Sequence, residues 1–317
     1  MTRGWTFGFA VSVVLLTEWA LGEEALSARD ANAAGHGSGP VASAAFDPGE
    51  GAAIERVPLA APNPCELDEL TAAPSRPVWT AGAQTTQCGS LETDYGWFWQ
   101  GMGGGVRQTA TAMSVRYGIT PRLDVRWGIP AHLVQSGGES PDLTGVSDQT
   151  VSLTWRFMEQ GTRVPAMALG YGFKIPTANP AKGFGTGYVD HQLAFIASRN
   201  VRKLHLDFNS VGTLAGCPDG HDPALLYGLV MSAPATRRMT WLLETVGGSQ
   251  PGTADRLGQS LLGAQWTVRP WLVLDTAYTR AWTAGSPRQQ FTVGWTWASR
   301  PRAVDLLREK ATRVFAR

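Results

Sequence analysis

The segment Gln290-Phe291-Thr292-Val293-Gly294-Trp295-Thr296-Trp297 constrains the fold of this chain more than any other. Phe291, Val293, Trp295 and Trp297 share one parity, and Gln290, Thr292, Gly294 and Thr296 share the other. Side chains of a strand alternate between faces, so one face is apolar and aromatic while the opposite face is small or polar. A half-buried strand of a soluble sheet has the same period. An outer face ending in two tryptophans matches more closely the aromatic girdle of an outer-membrane barrel.

The pattern recurs about twelve times between Leu91 and Trp297, with short connections alternating with longer ones, the latter including Gln135 to Ser147 and Ala215 to Asp222. It predicts an all-β fold: a transmembrane, antiparallel, up-and-down β-barrel of about twelve strands over residues 90–297. The apolar parity collects Trp97, Trp99, Trp127, Trp155, Trp241, Trp266, Trp295 and Trp297 as a lipid-facing girdle. The opposite parity collects Glu92, Asp94, Arg116, Asp124, Arg126, Arg156, Lys174, Asp190, His205, Asp207, Glu244 and Asp275 as lumen-lining candidates. Charges of both signs facing inward either line water or pair across a narrow interior. The run Ala224 to Ser232 is apolar on both faces and fits the pattern least well. A soluble β-sandwich also alternates, but it would have to bury all these Trp-rich faces in one core.

Net charge is +1 and hydrophobic residues make up 43% of the chain. Nothing here points to nucleic acid, and a multi-helix membrane protein is excluded, whereas a barrel is only half apolar per strand. Met1-Thr2-Arg3 followed by an apolar stretch to Leu16 and then Ala20-Leu21-Gly22 reads as a signal peptide over residues 1–22. Residues 23–89 are rich in Ala, Gly, Pro and Ser without a sustained period, as in a flexible, disordered periplasmic linker. An exported chain meets an oxidising compartment, so Cys65 and Cys88 are a candidate disulfide tying the linker to the barrel entrance. Three cysteines leave other pairings open, with Cys217 the third. Residues 298–317 form a basic tail compatible with a short helix.

Several short motifs occur in a telling order: Arg116-Tyr117-Gly118-Ile119-Thr120-Pro121-Arg122-Leu123-Asp124, Gly145-Val146-Ser147-Asp148, Lys174-Ile175-Pro176-Thr177, His205-Leu206-Asp207-Phe208-Asn209 and Val293-Gly294-Trp295-Thr296-Trp297. Together they resemble the outer-membrane family named for the meta-pathway of phenol degradation. The resemblance spans about Leu91 to Trp297. It implies an outer-membrane barrel with a role in uptake of small hydrophobic or aromatic compounds. It carries no catalytic residues. The expected partners are outer-membrane lipid, a small-molecule solute and the barrel-assembly machinery, with no cofactor, no metal and no nucleic acid. A structural or surface-binding barrel with a closed interior is the alternative.

Enzyme motifs are weak. Gly183-Phe184-Gly185-Thr186-Gly187 lacks the strand-to-helix context of a phosphate loop. Barrel phospholipases place His and Ser two residues apart on a strand, and the one His-x-Ser here, His36-Gly37-Ser38, lies in the linker. His221 and neighbouring acids lie in a segment that reads as an exposed turn rather than a metal site.

Overall fold

The computed structural model describes Cys65 and residues 69–138 and 141–301. The expected signal peptide, most of the linker and the expected helical tail lie outside these residues.

The described strands are β1 (Leu91–Gly103), β2 (Val106–Thr120), β3 (Leu123–Ser136), β4 (Leu143–Val146), β5 (Gln149–Met158), β6 (Ala166–Ile175) and β7 (Asp190–Val201). There follow β8 (Leu204–Cys217), β9 (Gly220–Pro234), β10 (Met239–Ser249), β11 (Arg256–Arg269), β12 (Leu272–Ala281) and β13 (Gln289–Ser299). Each strand pairs antiparallel with its neighbour, and β1 pairs with β13 from Leu91↔Ser299 to Gly101↔Gln289, which closes the ring. Twelve strands form the barrel, while the short β4 pairs with β3 alone and extends it beyond the point where β5 joins. Closure leaves the ring without an edge, so backbone groups are satisfied within the sheet, as a membrane requires.

β1 begins and β13 ends at the same end of the barrel, hereafter the terminal end. The parity read from the sequence appears as two different surfaces. Outward residues such as Leu262 (59% exposed), Leu193 (55%) and Trp155 (52%) cover no core, while Glu92, Asp94, Glu244 and Lys174 on the other parity are buried. Trp155, Trp241, Trp266, Trp295 and Trp297 stand outward near the terminal ends of their strands. Cross-strand contacts with apolar partners, such as Trp266↔Leu274 and Leu274↔Trp295, continue the band around the wall.

Three expectations need correction. The stretch Gln135 to Ser147, expected as a loop, contains the end of β3 and its return as β4. Ala215 to Asp222, expected as a long connection, is the end of β8, a turn at Pro218-Asp219 and the start of β9. Residues 69–89 were assigned to a flexible linker, yet they enter the barrel and pack against its inner wall. Their Ala/Gly/Pro composition conceals this order because the partners that satisfy the backbone lie on distant strands.

That segment also explains the doubly apolar run on β9. Leu226 and Val230 face inward because the barrel is filled there: Leu226 joins Val211, Val246, Leu257 and Ala83 in a buried cluster, with Trp79 against it. Towards the opposite end, Phe184 of the β6–β7 loop folds in against Phe98, Ala110 and Leu133.

Candidate functional site

The segment from Leu70 to Gly89, here the strap, enters and leaves at the terminal end. Ala72 donates to the Pro270 carbonyl of the β11–β12 turn at 2.8 Å, and Gly89 to the Gly118 carbonyl near the β2–β3 turn at 2.8 Å. Its two legs also meet each other, with the Gln87 side chain donating to Thr71 Oγ1 at 2.6 Å. A Cys65–Cys88 disulfide spans the strap with a Cα–Cα distance of 4.9 Å, while Cys217 is a free cysteine.

Between these legs the strap makes a circuit of the inner wall, passing the strands in order from β1 through β13 back down to β3. Inward side chains catch its backbone along the way. Ala73 N donates to Glu92 at 3.0 Å, and the Ser75 hydroxyl donates to Asp94 at 2.9 Å. Trp79 N and Thr80 N both donate to the Glu244 carboxylate, at 3.0 and 2.6 Å. Ala81 exchanges two bonds with the Asn209 amide, at 2.7 and 2.8 Å. Ala83 N donates to Ser198 Oγ at 2.7 Å, and Thr86 N to Asp124 at 2.8 Å. Apart from a bridge between Cys88 and Gly118 the strap has no β-partner, so its buried N–H groups need acceptors, and the wall supplies them as carboxylates, amide and hydroxyl.

Arg76 is the strap's charged anchor. Its guanidinium donates to Thr292 Oγ1 at 2.7 Å and pairs with Asp275 at 3.4 Å, while the Gln265 amide donates to its carbonyl at 2.5 Å. It lies flat over Gly96 and Gly294, which are direct partners across β1 and β13. A methyl group at Gly96 would overlap the guanidinium, and one at Gly294 would come within 2.6 Å of Nε. Gly96→Ala is therefore expected to eject Arg76 and cost it the Thr292 and Asp275 contacts. Thermal unfolding should then begin at a lower temperature than in the parent. Gly101→Ala, whose methyl meets nothing closer than 3.6 Å, should not lower it; identical unfolding curves for Gly96→Ala and the parent would refute the slot.

Eleven of the twelve lumen-lining candidates fall into three groups, and Arg126 stands apart. Glu92, Asp94, Asp124, Glu244 and Asp275 hold the strap directly; Arg116 bridges Glu92 (2.5 Å), Asp94 (3.4 Å) and the Ala73 carbonyl (2.6 Å), and Asp207 backs Ser198 at 2.5 Å. Lys174 and Asp190 sit towards the opposite end, where Lys174 is buried between Asp190 (2.8 Å), Asp148 (3.3 Å) and Thr186 (2.7 Å). Arg156 and His205 stand at the terminal rim, on Pro121 O (2.8 Å) and Glu159 (3.2 Å) and on Asp207 (3.0 Å) and Asn200 (2.7 Å) respectively. Of the twelve, Arg126 alone borders both cavities described below. Sequence parity did not single out Asn209, Ser198 or Thr292, because neutral inward residues resemble any polar wall, nor Asp148, which lies between β4 and β5 where no strand parity applies. The inward glycines 96, 118, 228, 263 and 294 were the available signal: a Cβ at each would meet the strap within 3.2 Å.

The two cavities lie on either side of the strap. One, of about 250 Å3, has an apolar wall of Phe98, Leu226, Val246, Leu257 and Leu261 over a floor that includes Trp79, with Gln259, Thr279 and Gln290 elsewhere on its lining. The other, of about 300 Å3, is lined by Arg116, Asp124, His205 and Asp207 at the terminal end. Ser75, Val78 and Ala81 of the strap and Arg126 of β3 border both cavities and so mark the boundary between them. Ser198, Asp207 and His205 form a hydrogen-bonded chain, but Asp207 stands between hydroxyl and imidazole, so the imidazole cannot take the hydroxyl proton as a triad base would. Among the described residues no cluster of three His, Cys, Asp or Glu side chains suited to a metal ion occurs.

No protein-family model matches the chain, and no curated protein matches it by sequence. Among solved structures, the COG4313 outer membrane channel from Pseudomonas putida F1 is similar over 72% of this chain and 100% of that one, at 14% identity and a TM-score of 0.52. The NanC porin aligns over 65% of this chain and 98% of its own, at 9% identity and a TM-score of 0.46. The first likeness is one of fold: this chain has the closed barrel of an outer membrane channel.

Proposed function

We propose that the chain is an outer-membrane channel for passive entry of small solutes, hydrophobic or aromatic ones included, with the strap governing passage. The closed ring, its apolar outer wall and the tryptophan band support placement in an outer membrane, with the terminal end in the periplasm. The observation that carries the solute class is the cavity above the strap. A water-filled pore would be polar throughout, whereas here Phe98, Leu226, Val246, Leu257 and Leu261 present an apolar surface beside neutral polar groups, and of the charged residues on the lining Arg76, Asp94, Asp190 and Glu244 are already engaged by partners, with Arg126 at the boundary. Such a lining suits a compact apolar solute with one or two polar atoms.

One observation favours a second reading, a structural barrel with a closed interior: most inward charges are consumed in holding the strap. Uptake of the apolar fluorophore N-phenylnaphthylamine into cells with an intact outer membrane separates the readings. Cells making this protein should take it up faster than cells lacking it, and Val246→Lys with Leu257→Lys should abolish the gain. Equal uptake with and without the protein would leave only the structural reading.

A further inference from the structure

Charge is distributed unequally between the two ends of this nearly neutral chain. Exposed cations crowd the turns of the terminal end: Arg163 in the β5–β6 turn, Arg202 and Lys203 between β7 and β8, Arg237 and Arg238 between β9 and β10, and Arg269 at the end of β11. Among the described residues of these four turns the one acid is Glu159, already engaged by Arg122 at 3.5 Å and Arg156 at 3.2 Å. The opposite end is mixed, with Lys182, Arg256 and Arg288 set among Asp142, Asp219, Asp222 and Asp255. With a net charge of +1 overall, the rim charge is a matter of placement rather than composition.

We infer that the terminal rim is a docking surface for the phosphate headgroups of anionic phospholipids in the adjoining leaflet. This rests on the membrane placement proposed above. Depth supports it: Trp241 follows Arg238 by three residues and Trp266 precedes Arg269 by three, both tryptophans outward and exposed. Tryptophan marks the boundary between acyl chains and headgroups, so the arginines just beyond it stand level with lipid phosphate. Shape favours lipid over an acidic protein. The cations occupy four hairpin turns in succession around the circumference, which matches an annulus of lipid better than one compact patch. Chemistry agrees too, because a guanidinium can donate two parallel hydrogen bonds to one phosphate.

The test uses the full-length protein in detergent, titrated with phosphatidylglycerol or phosphatidylcholine and read by native mass spectrometry. The parent should retain phosphatidylglycerol in preference to phosphatidylcholine by roughly tenfold, since each near-surface cation adds to the attraction. Combining R202E, K203E, R237E and R238E should bring the two lipids to parity, while R256E with R280E at the opposite end should leave the preference intact. If the charge-reversed rim fails to assemble, the corresponding glutamine variants give the same reading. Undiminished preference in the rim variant would overturn the inference. So would an unchanged lipid preference accompanied by loss of a crosslink to an acidic periplasmic protein.

Discussion

Replacing residues 73–86 by a short Gly/Ser bridge should convert a nearly closed barrel into a wide pore, with single-channel conductance rising on the order of tenfold, because a twelve-stranded ring emptied of its filling leaves an aqueous lumen. Thr71 and Gln87 are hydrogen-bonded to each other, so the bridge spans a short gap and leaves the disulfide in place. The freed Asp124, Glu244 and Asp275 would then face water as unpaired carboxylates, and the open pore should favour cations. Reversal potentials in a salt gradient check the sign. Conductance equal to that of the parent would mean that the strap does not limit passage.

Leu262→Arg should destabilise the barrel by roughly 2–4 kcal/mol, the cost of arginine on the lipid face near mid-membrane. Leu262 is 59% exposed and paired with Leu243 and Tyr278, both outward as well, so neither direct partner offers a carboxylate to the guanidinium and the one polar atom beside it is the Tyr278 hydroxyl, which donates to Gln289. Gln259→Arg, three residues earlier on the opposite face, points into the cavity above the strap and should cost much less. Reversible urea unfolding in phospholipid vesicles compares the two. Equal losses would require a dry, packed interior at Gln259 or the opposite assignment of faces.

The outer wall was legible in the sequence because it obeys one rule: contact with lipid selects apolar residues at every second position of every strand, whatever lies inside. Trp295 and Trp297 declare it at once. The inner wall obeys no such rule, since an inward residue answers to whatever fills the barrel beside it, for many of them a stretch of strap. Glu244 is there for two N–H groups, Gly96 and Gly294 for a flat guanidinium, and Leu226 for a tryptophan. Charges could therefore be assigned to the interior by parity, while their purpose could not. The strap was the hardest part to foresee. Much of its order comes from acceptors more than 100 residues away, such as Asn209 for Ala81 and Glu244 for Thr80, and short-range periodicity carries no trace of them.

Because both legs of the strap pass through one mouth, the bight between Ala72 and Gly89 enters and leaves the ring on the same side. The ring can also close before, after or during insertion of the bight. The result is topologically a tucked loop rather than a knot, and it can be drawn out by a pull from the side on which it entered.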